Sequence, residues 1–297
     1  MRWAEGFITA DWGTTNRRAY LIDANGKCLD RFEDDKGILS VPPGGFAGAV
    51  AEIRDKLGDH PLLLGGMVGS NRGWIEAPYV PCPANLEDLV QALAWAGERE
   101  AIIPGVSVLR SDRADVMRGE EVQVLGALEL GAISPDSAVC HPGTHNKWVQ
   151  LRAGKIHNFL TVMTGELFSL LKEHSILSGM LQAPVEPNEG FRDGVRQALS
   201  RELLPAQLFG VRAGVLLEQT KEENAASLVS GLLIGTDVRI GMNFPFSARV
   251  VIMGRPELTR LYAAAVELAG REAIVLDGEK CFLAGTRRIA ELIDERS

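Results

Sequence analysis

Two short glycine-threonine segments contain the residue types that bind phosphate. Gly13-Thr14-Thr15-Asn16 and Gly143-Thr144-His145-Asn146 lie 130 residues apart, and each is followed by a basic residue. Glycine lets the backbone approach a phosphate closely, and threonine adds a hydroxyl to the backbone N–H donors. Either segment alone is equally compatible with a tight turn that binds nothing. Because the segment is duplicated, we predict that both are phosphate-binding loops. We also predict that Lys147, directly after the second loop, contacts the phosphates.

Several carboxylates could serve the chemistry of phosphoryl transfer. Asp11 ends a strand-like segment just before the first loop, where it could bind Mg²⁺ through water. Transfer also needs a carboxylate that accepts the proton of the attacking hydroxyl. Glu120, Glu121 and Glu166 stand at predicted helix starts and are candidates for this base. Each is equally explained as a first-turn acid that interacts favourably with the helix dipole.

A polar segment in the first half has the composition of a site for an organic acid. It combines glycines, a hydroxyl, an amide, a guanidinium and the flat face of an indole, from Gly69, Ser70, Asn71, Arg72 and Trp74. A guanidinium can bind a carboxylate through two parallel hydrogen bonds. We therefore predict that these five residues bind an anionic substrate. The alternative is a surface loop in which Arg72 is solvated and Trp74 belongs to the core.

The strands predicted around the two loops repeat in the same order. A buried strand leads into each loop, a second strand leaves it, and a turn connects to a third strand. In the first half this turn is Asn25-Gly26, a strong hairpin signal. The strands are predicted at 7–11, 17–23 and 27–32, and again at 137–141, 147–151 and 155–161. This duplication predicts two related α/β domains, residues 1–135 and 136–297.

Alternating helices and strands are predicted for the rest of the chain. Thr220 and Glu223 have the spacing of a capping box. Another helix is expected between Pro256 and Gly270. The remaining helices are predicted at 46–57, 86–96, 119–130, 220–238 and 280–293, and the remaining strands at 61–65, 249–253 and 273–276.

Composition and charge exclude several classes of protein. The chain has 297 residues, of which 46% are hydrophobic and 24% charged, as in an ordinary globular protein. Its net charge of −8 argues against a nucleic-acid partner, which needs a basic surface. No apolar run approaches the ~18 residues that span a bilayer, so no membrane partner is expected. The widely spaced cysteines favour neither zinc nor disulfides, and we expect a cytoplasmic protein with buried or half-buried thiols.

The motifs of the chain resemble those of a known family. Residues 11–16 look like the first phosphate motif of the actin-like sugar kinases. Further segments resemble the 2-dehydro-3-deoxygalactonokinase family in particular, at 66–74, 76–79, 116–121, 142–149, 161–167 and 231–235. The resemblance covers the whole chain in the same order. It implies two actin-like (ribonuclease-H-like) domains, each with a mixed sheet, that flank a nucleotide-binding cleft.

The resemblance also implies an activity. It implies ATP and Mg²⁺ as cosubstrate and metal, and phosphorylation of 2-dehydro-3-deoxy-D-galactonate at its 6-hydroxyl in galactonate catabolism. A related 2-keto-3-deoxy sugar acid, which differs at one hydroxyl, is an alternative substrate. The order of elements in the superfamily places Gly254 and Arg255 at the adenosine, although a plain strand-to-helix turn explains them nearly as well. A homodimer is common among such enzymes.

The second loop lacks the aspartate and double glycine of many superfamily members, which leaves its part in metal binding open.

Two alternative functions follow from the same sequence. Residues 118–121 resemble the Gly-x-Glu-Glu arrangement of exopolyphosphatases, which suggests a phosphohydrolase and favours Glu121 over Glu120 as base, with Glu166 as the alternative. A sugar-sensing repressor would need a DNA-binding helix-turn-helix, for which the strand at residue 7 leaves no room. We predict the kinase.

Overall fold

A computed structural model describes residues 3–244 and 249–296. Its first half alternates short strands and helices. In chain order these are β1 (Gly6–Trp12), β2 (Arg17–Asp23), β3 (Cys28–Asp34), α1 (Phe46–Leu57), β4 (Leu62–Gly66), β5 (Tyr79–Pro81), α2 (Leu86–Gln91), β6 (Ala94–Trp95), β7 (Glu100–Ile102), β8 (Gly105–Leu109), β9 (Ala114–Met117) and α3 (Glu120–Glu129).

The second half has fewer strands and longer helices. In chain order its elements are β10 (Ala138–His141), β11 (Asn146–Arg152), β12 (Lys155–Val162), α4 (Thr164–His174), α5 (Glu189–Ser200), α6 (Leu204–Leu216), α7 (Glu222–Gly241), β13 (Arg249–Met253), α8 (Pro256–Leu268), β14 (Glu272–Leu276) and α9 (Gly278–Arg296). Single 3-10 turns lie at Trp3–Glu5, Ile38–Ser40, Met67–Gly69 and Ser178–Met180.

The same strand order occurs in both halves. One sheet has the order β3-β2-β1-β4-β7-β6, and another has β12-β11-β10-β13-β14. In each sheet, the strand that leads into the glycine loop (β1 or β10) pairs antiparallel with the next strand of the chain (β2 or β11). On its other side it pairs parallel with β4 or β13. Both sheets are therefore mixed, and the predicted duplication and actin-like fold are confirmed. A further sheet, β5-β8-β9, was not predicted.

The chain divides into two compact units whose boundaries differ from the predicted domains. The first contains the described residues of Met1–Pro135, Arg152–Asn158 and Gly278–Ser297, and the second contains Asp136–Leu151 and Phe159–Asp277. The sequence placed 152–158 and 278–297 with the second half. Residue Ile156 instead forms a bridge with Ala84. Helix α9 packs on α3, where Gly126 and Gly285 leave no room for a Cβ between the two backbones.

Central strands bring the predicted site residues to the ends of the sheets. Strand β4 is buried throughout, and β1 and β13 are buried along most of their lengths. Parallel strands have their carboxyl ends at the same edge of a sheet, where ligands commonly bind. The loops after β1 and β10 and the turns after β4 and β13 occupy such edges. Within 3–244 and 249–296, no helix is long and apolar enough to cross a bilayer.

Local predictions failed where tertiary contacts compete with sequence spacing. The helix predicted at 86–96 ends at Gln91, because Ala94 and Trp95 pair with β7 at the edge of the sheet. The predicted capping box at Thr220 is wrong, since α7 begins one residue later and Lys221 is its N-cap. A true capping box starts α2, from Asn85 and Asp88. The hairpin predicted at Asn25-Gly26 is present between β2 and β3. Helices α5 and α6 were not predicted.

Candidate active site

The first glycine loop is fixed by a second backbone segment. Within the loop, the Gly13 N–H donates to the Asn16 carbonyl at 2.9 Å, and Thr14 and Thr15 are exposed. The N–H groups of residues 37–39 donate to the carbonyls of residues 13–15 at 3.0–3.3 Å. These contacts hold the loop in one conformation with its two threonines facing solvent.

Substitution of Gly37 tests whether this conformation matters for nucleotide binding. A Cβ at Gly37 would lie 2.3 Å from both the Thr14 carbonyl oxygen and the Thr15 nitrogen, so the loop must move in Gly37→Ala. We expect the KM for ATP to rise about tenfold or more, since a shift of ~1 Å in a binding loop is costly. Gly48→Ala is the control, because a Cβ there meets nothing within 4 Å. Steady-state kinetics with an unchanged ATP KM in Gly37→Ala would count against a nucleotide site at this loop.

Asp11 lies where three backbone segments meet. It is opposite Arg18 in β2 and Gly65 in β4. Gly66 and Gly119 have φ values of +88° and +109°, which other residues rarely adopt. A Cβ at Gly66 would lie 3.3 Å from Asp11 Oδ1, and a Cβ at Gly119 would lie 3.3 Å from the Gly66 Cα. The two glycines therefore allow the start of α3 to approach the Asp11 carboxylate.

The two glutamates at the start of α3 have different surroundings. Glu121 is fully buried, and its carboxylate oxygens accept the Gly119 N–H at 2.9 and 2.7 Å. Burial, with a smaller contribution from Glu120, raises the pKa of Glu121 to about 8. Glu120 is half-buried, and its Oε2 has no hydrogen-bond partner among the described residues. Glu121 thus holds the helix start, whereas Glu120 has a buried oxygen without a hydrogen-bond partner there.

The raised pKa of Glu121 predicts a pH-dependent stability. The folded state holds the proton up to about pH 8, whereas the unfolded chain releases it near the ordinary value of 4.5. Between these values the folded state binds more protons, so stability falls as pH rises. Glu121→Gln keeps an acceptor for Gly119 but cannot ionise. We expect thermal unfolding at pH 5, 7 and 9 to show wild type losing up to a few kcal/mol relative to this variant. A pH-independent difference between the two would contradict the assignment.

The predicted substrate segment is a tight turn. Ser70 Oγ donates to the Met67 carbonyl at 2.7 Å and accepts the Arg72 N–H at 3.3 Å. The Trp74 N–H donates to the Val68 carbonyl at 2.8 Å. The Ser70 hydroxyl is therefore engaged inside the turn. Arg72 lies at the exposed part of the same turn.

A pocket in the first unit is lined by part of this segment. Its volume is about 320 Å³, within the range of small-molecule sites. Asn71, Arg72 and Trp74 line it together with residues 41–44, 46 and 47. Trp74 stacks on Phe46 with ring centroids 6.4 Å apart and planes at 9°. The other two predicted substrate residues, Gly69 and Ser70, are buried.

Arg118, to which the sequence analysis assigned no role, anchors the segment. Its Nη2 donates to the Ala77 carbonyl at 2.7 Å, and its guanidinium lies 4.2 Å from the centroid of the Tyr79 ring. The Ala77 N–H donates in turn to the Gly69 carbonyl at 2.9 Å. Arg118 Nε and Nη1 are buried without a hydrogen-bond partner in the described part of the chain. A buried positive charge thus supports the turn. In the sequence, the position of Arg118 directly before Gly119 is the signal that could have indicated this role.

The second glycine loop packs against the start of α4. The Glu166 N–H donates to the Thr144 carbonyl at 3.0 Å. Glu166 Oε2 and His145 Nε2 are 2.5 Å apart, and both side chains are exposed. A Cβ at Gly165 would lie 2.6 Å from the Gly143 carbonyl oxygen, so helix and loop are in close contact. The structure therefore places Glu166 beside the second loop.

The turn after β13 also reaches this loop. A Cβ at Gly254 would lie 3.1 Å from the carbonyl oxygen of Pro142. Arg255 follows as the exposed N-cap of α8. Lys147, by contrast, is buried, and its Nζ donates to Thr161 Oγ1 at 2.8 Å, so it does not point to solvent. Gly254 and the second loop form one contiguous region of the second unit.

A buried carboxylate fixes the second loop. Asp237, on α7, accepts hydrogen bonds of 2.5–3.0 Å from four side chains, those of Asn146, Trp148, Thr164 and Tyr262. Burial raises the pKa of Asp237, although these hydrogen bonds oppose the shift. Asn146 ends the loop and Thr164 begins α4, so Asp237 ties the two together. Asp237 was not among the predicted site residues; its signal in the sequence is an isolated acid in the apolar stretch 225–238.

Comparison with known proteins decides the family. The family model described as 2-keto-3-deoxy-galactonokinase matches residues 11–289. The chain belongs to the 2-keto-3-deoxy-galactonokinase family. It is 35% identical over 290 residues to the 2-dehydro-3-deoxygalactonokinase of Escherichia coli (strain K12), with 97% of this chain and 98% of that protein covered. The predicted family membership is confirmed.

Structural comparison agrees with the sequence match. A crystal structure assigned to a 2-dehydro-3-deoxygalactonokinase protein from Sinorhizobium meliloti is similar, with a TM-score of 0.91 and 31% identity. The match covers 97% of this chain and 99% of that chain. As a member of the 2-keto-3-deoxy-galactonokinase family, the chain is a sugar-acid kinase, and the phosphohydrolase alternative is not favoured.

Proposed function

We propose that the chain transfers a phosphoryl group from ATP to the 6-hydroxyl of 2-dehydro-3-deoxy-D-galactonate in galactonate catabolism. The pocket at Arg72 carries this proposal, because it offers a guanidinium and an indole in a space suited to a small organic acid. The matched family and the E. coli relative are named for this substrate. A related 2-keto-3-deoxy sugar acid is the alternative, since its carboxylate end is the same.

Both glycine loops are the proposed phosphate contacts for ATP. Each presents two exposed side chains after a glycine, and each is held by contacts within its own unit. Gly254 and Arg255, next to the second loop, are the proposed adenosine contacts. The remaining proposed contacts are Gly13, Thr14, Thr15, Asn16, Gly143, Thr144 and His145, whereas the buried Lys147, which was predicted to contact phosphate, is bound to Thr161 instead.

Asp11 is the proposed ligand of Mg²⁺. Among residues 3–244 and 249–296, no three His, Cys, Asp or Glu residues are arranged to hold a metal. A single carboxylate beside a phosphate loop fits Mg²⁺, which keeps several waters and also binds phosphate oxygens. When bound, the ion neutralises charge on the phosphates. The Asp11 carboxylate is set in place by the paired strands on both sides of β1.

A glutamate at the start of α3 is the proposed base. The resemblance to exopolyphosphatases favoured Glu121, but its carboxylate is enclosed and bound to the Gly119 N–H. Glu120 has an oxygen without a partner in the described chain and lies at the same helix start. We therefore propose that Glu120 accepts the proton of the 6-hydroxyl and that Glu121 positions the helix. Glu166, paired with His145, is proposed to act at the second loop.

We also propose that the protein works in the cytoplasm and as a homodimer. Its cysteines, Cys28, Cys82, Cys140 and Cys281, form no disulfide, which suits a reducing compartment. A cytoplasmic location also suits a kinase, because its cosubstrate ATP is present there without transport.

Substitution of Arg72 tests the substrate pocket. Arg72→Ala removes the proposed partner of the substrate carboxylate, and we expect the KM for the keto acid to rise about 10- to 100-fold. The KM for ATP should change little. Arg72→Lys should recover part of the loss, because an ammonium cannot make the two-pronged contact. Steady-state kinetics in which each substrate is varied measure both constants.

Arg110→Ala is the control for this experiment, since it removes an exposed arginine elsewhere in the first unit. An unchanged keto-acid KM in Arg72→Ala would place the carboxylate away from this pocket.

A further inference from the structure

Helix α6 is apolar on nearly every side, and yet it is buried at only one of its described positions. Of its residues, all of which the structure describes, Val211 alone is buried and Arg212 alone is charged. Phe209 is 61% exposed, Leu216 is 64% exposed, and Leu217, at the C-cap, is 70% exposed. A surface helix normally turns a polar face to solvent. This exposed apolar face therefore needs an explanation.

The α6 face has the shape of a self-complementary contact. Positions 206, 209, 213 and 216 follow helical spacing and share one side. Large side chains alternate there with small ones, Ala206, Gly210 and Ala213. A Cβ at Gly210 would meet nothing within 4 Å, so the surface is open at that point. In a two-fold arrangement, Phe209 of each copy can enter the space beside Gly210 of the other.

Neighbouring apolar residues extend the face. Arg212 Nη1 donates to the Ile176 carbonyl at 3.0 Å, which places the exposed Ile176 beside α6. The exposed Leu203 directly precedes the helix. At about 200 Å² for a large apolar side chain, the exposed parts of Leu203, Phe209, Leu216, Leu217 and Ile176 amount to about 600 Å². This is at the upper end of the range for the largest patch of a typical monomer, about 300–600 Å². It also reaches the ~600 Å² per partner at which stable interfaces begin.

We propose that this α6 face, formed by Leu203, Phe209, Leu216, Leu217 and Ile176, is the interface of a homodimer. The charges at the ends of α6 argue against a membrane instead. Arg201 is followed by Glu202, and Glu218 stands between the helix and Lys221. Helices that lie on anionic membranes carry a basic border, which is absent from these described flanks. An uncharged face of the area that a dimer buries fits a second copy of the chain.

Sedimentation equilibrium of the full chain tests the proposal without relying on activity. We expect wild type at about 10 µM to have twice the chain mass of 32.1 kDa. Phe209→Asp and Leu216→Asp should each weaken the dimer by about 100-fold or more, as expected for central interface residues. Both side chains are exposed, so thermal unfolding of the dissociated variants should stay cooperative. Leu109→Asp is the control, because Leu109 is exposed in the first unit.

Three results would overturn the proposal. The first is a single-chain mass for wild type at 100 µM, and the second is an intact dimer in both α6 variants. The third is binding of wild type to phosphatidylserine vesicles that Phe209→Asp abolishes, which would assign the face to a membrane. None of these results involves kinase turnover, so failure here leaves the proposed phosphoryl transfer standing, and only the homodimer proposed with it would be lost. Failure of the proposed phosphoryl transfer would likewise leave the interface standing.

Discussion

Asp11→Asn is expected to lower kcat by about 10²- to 10³-fold, the usual cost of removing one preorganised electrostatic contact. The side chain keeps its shape but loses the charge that would bind Mg²⁺ beside the first loop. Because Asp11 sits between two paired strands, the fold should persist, and circular dichroism should be unchanged. Turnover measured over a Mg²⁺ titration should also show a weaker apparent affinity for the metal.

Asp112→Asn is the matched control for this experiment, since it removes one exposed carboxylate from the same unit. Wild-type turnover of Asp11→Asn at saturating Mg²⁺ would rule out Asp11 as the metal ligand.

Glu120→Gln is expected to lower kcat by about 10²-fold or more, which is typical of losing a general base. The ATP KM should be unchanged, because the carboxylate is proposed to contact the acceptor hydroxyl and not the nucleotide. Glu121→Gln should affect kcat less, since its carboxylate is bound within α3 and an amide can replace that contact. Single-turnover kinetics at saturating ATP and keto acid separate the chemical step from product release.

Glu166→Gln completes this set of variants, because it changes the third candidate glutamate. If Glu121→Gln is inactive and Glu120→Gln is active, Glu121 is the base, as the motif resemblance indicated. If Glu166→Gln is inactive while Glu120→Gln and Glu121→Gln are active, the base is Glu166 at the second loop.

The repeated strand order could be predicted because its signals are local. Buried strands, glycine loops and the Asn25-Gly26 turn are each visible within a few residues, and their duplication reinforced the prediction. The end of α2 could not be predicted, since strand pairing of Ala94 and Trp95 decides it. The place of α9 in the first unit depends on packing against α3, more than 150 residues away in the sequence.

The candidate site was predictable to a similar degree. The residue types at Asp11, Arg72 and the two glycine loops indicate chemistry directly. The residues that hold these groups in place could not be predicted in this way. Gly37, Arg118 and Asp237 act through contacts with residues distant in sequence. Burial also distinguishes the adjacent acids Glu120 and Glu121, which the sequence alone treats as nearly equivalent.

The most direct test of the proposed function is ATP consumption by the purified protein with a panel of 2-keto-3-deoxy sugar acids, followed by NMR of the product. We predict that turnover requires the sugar acid and has its highest kcat/KM with 2-dehydro-3-deoxy-D-galactonate. The product should carry its phosphate on the oxygen of carbon 6. ATP hydrolysis at the same rate without any sugar acid, or a phosphate ester at another carbon, would contradict the proposed function.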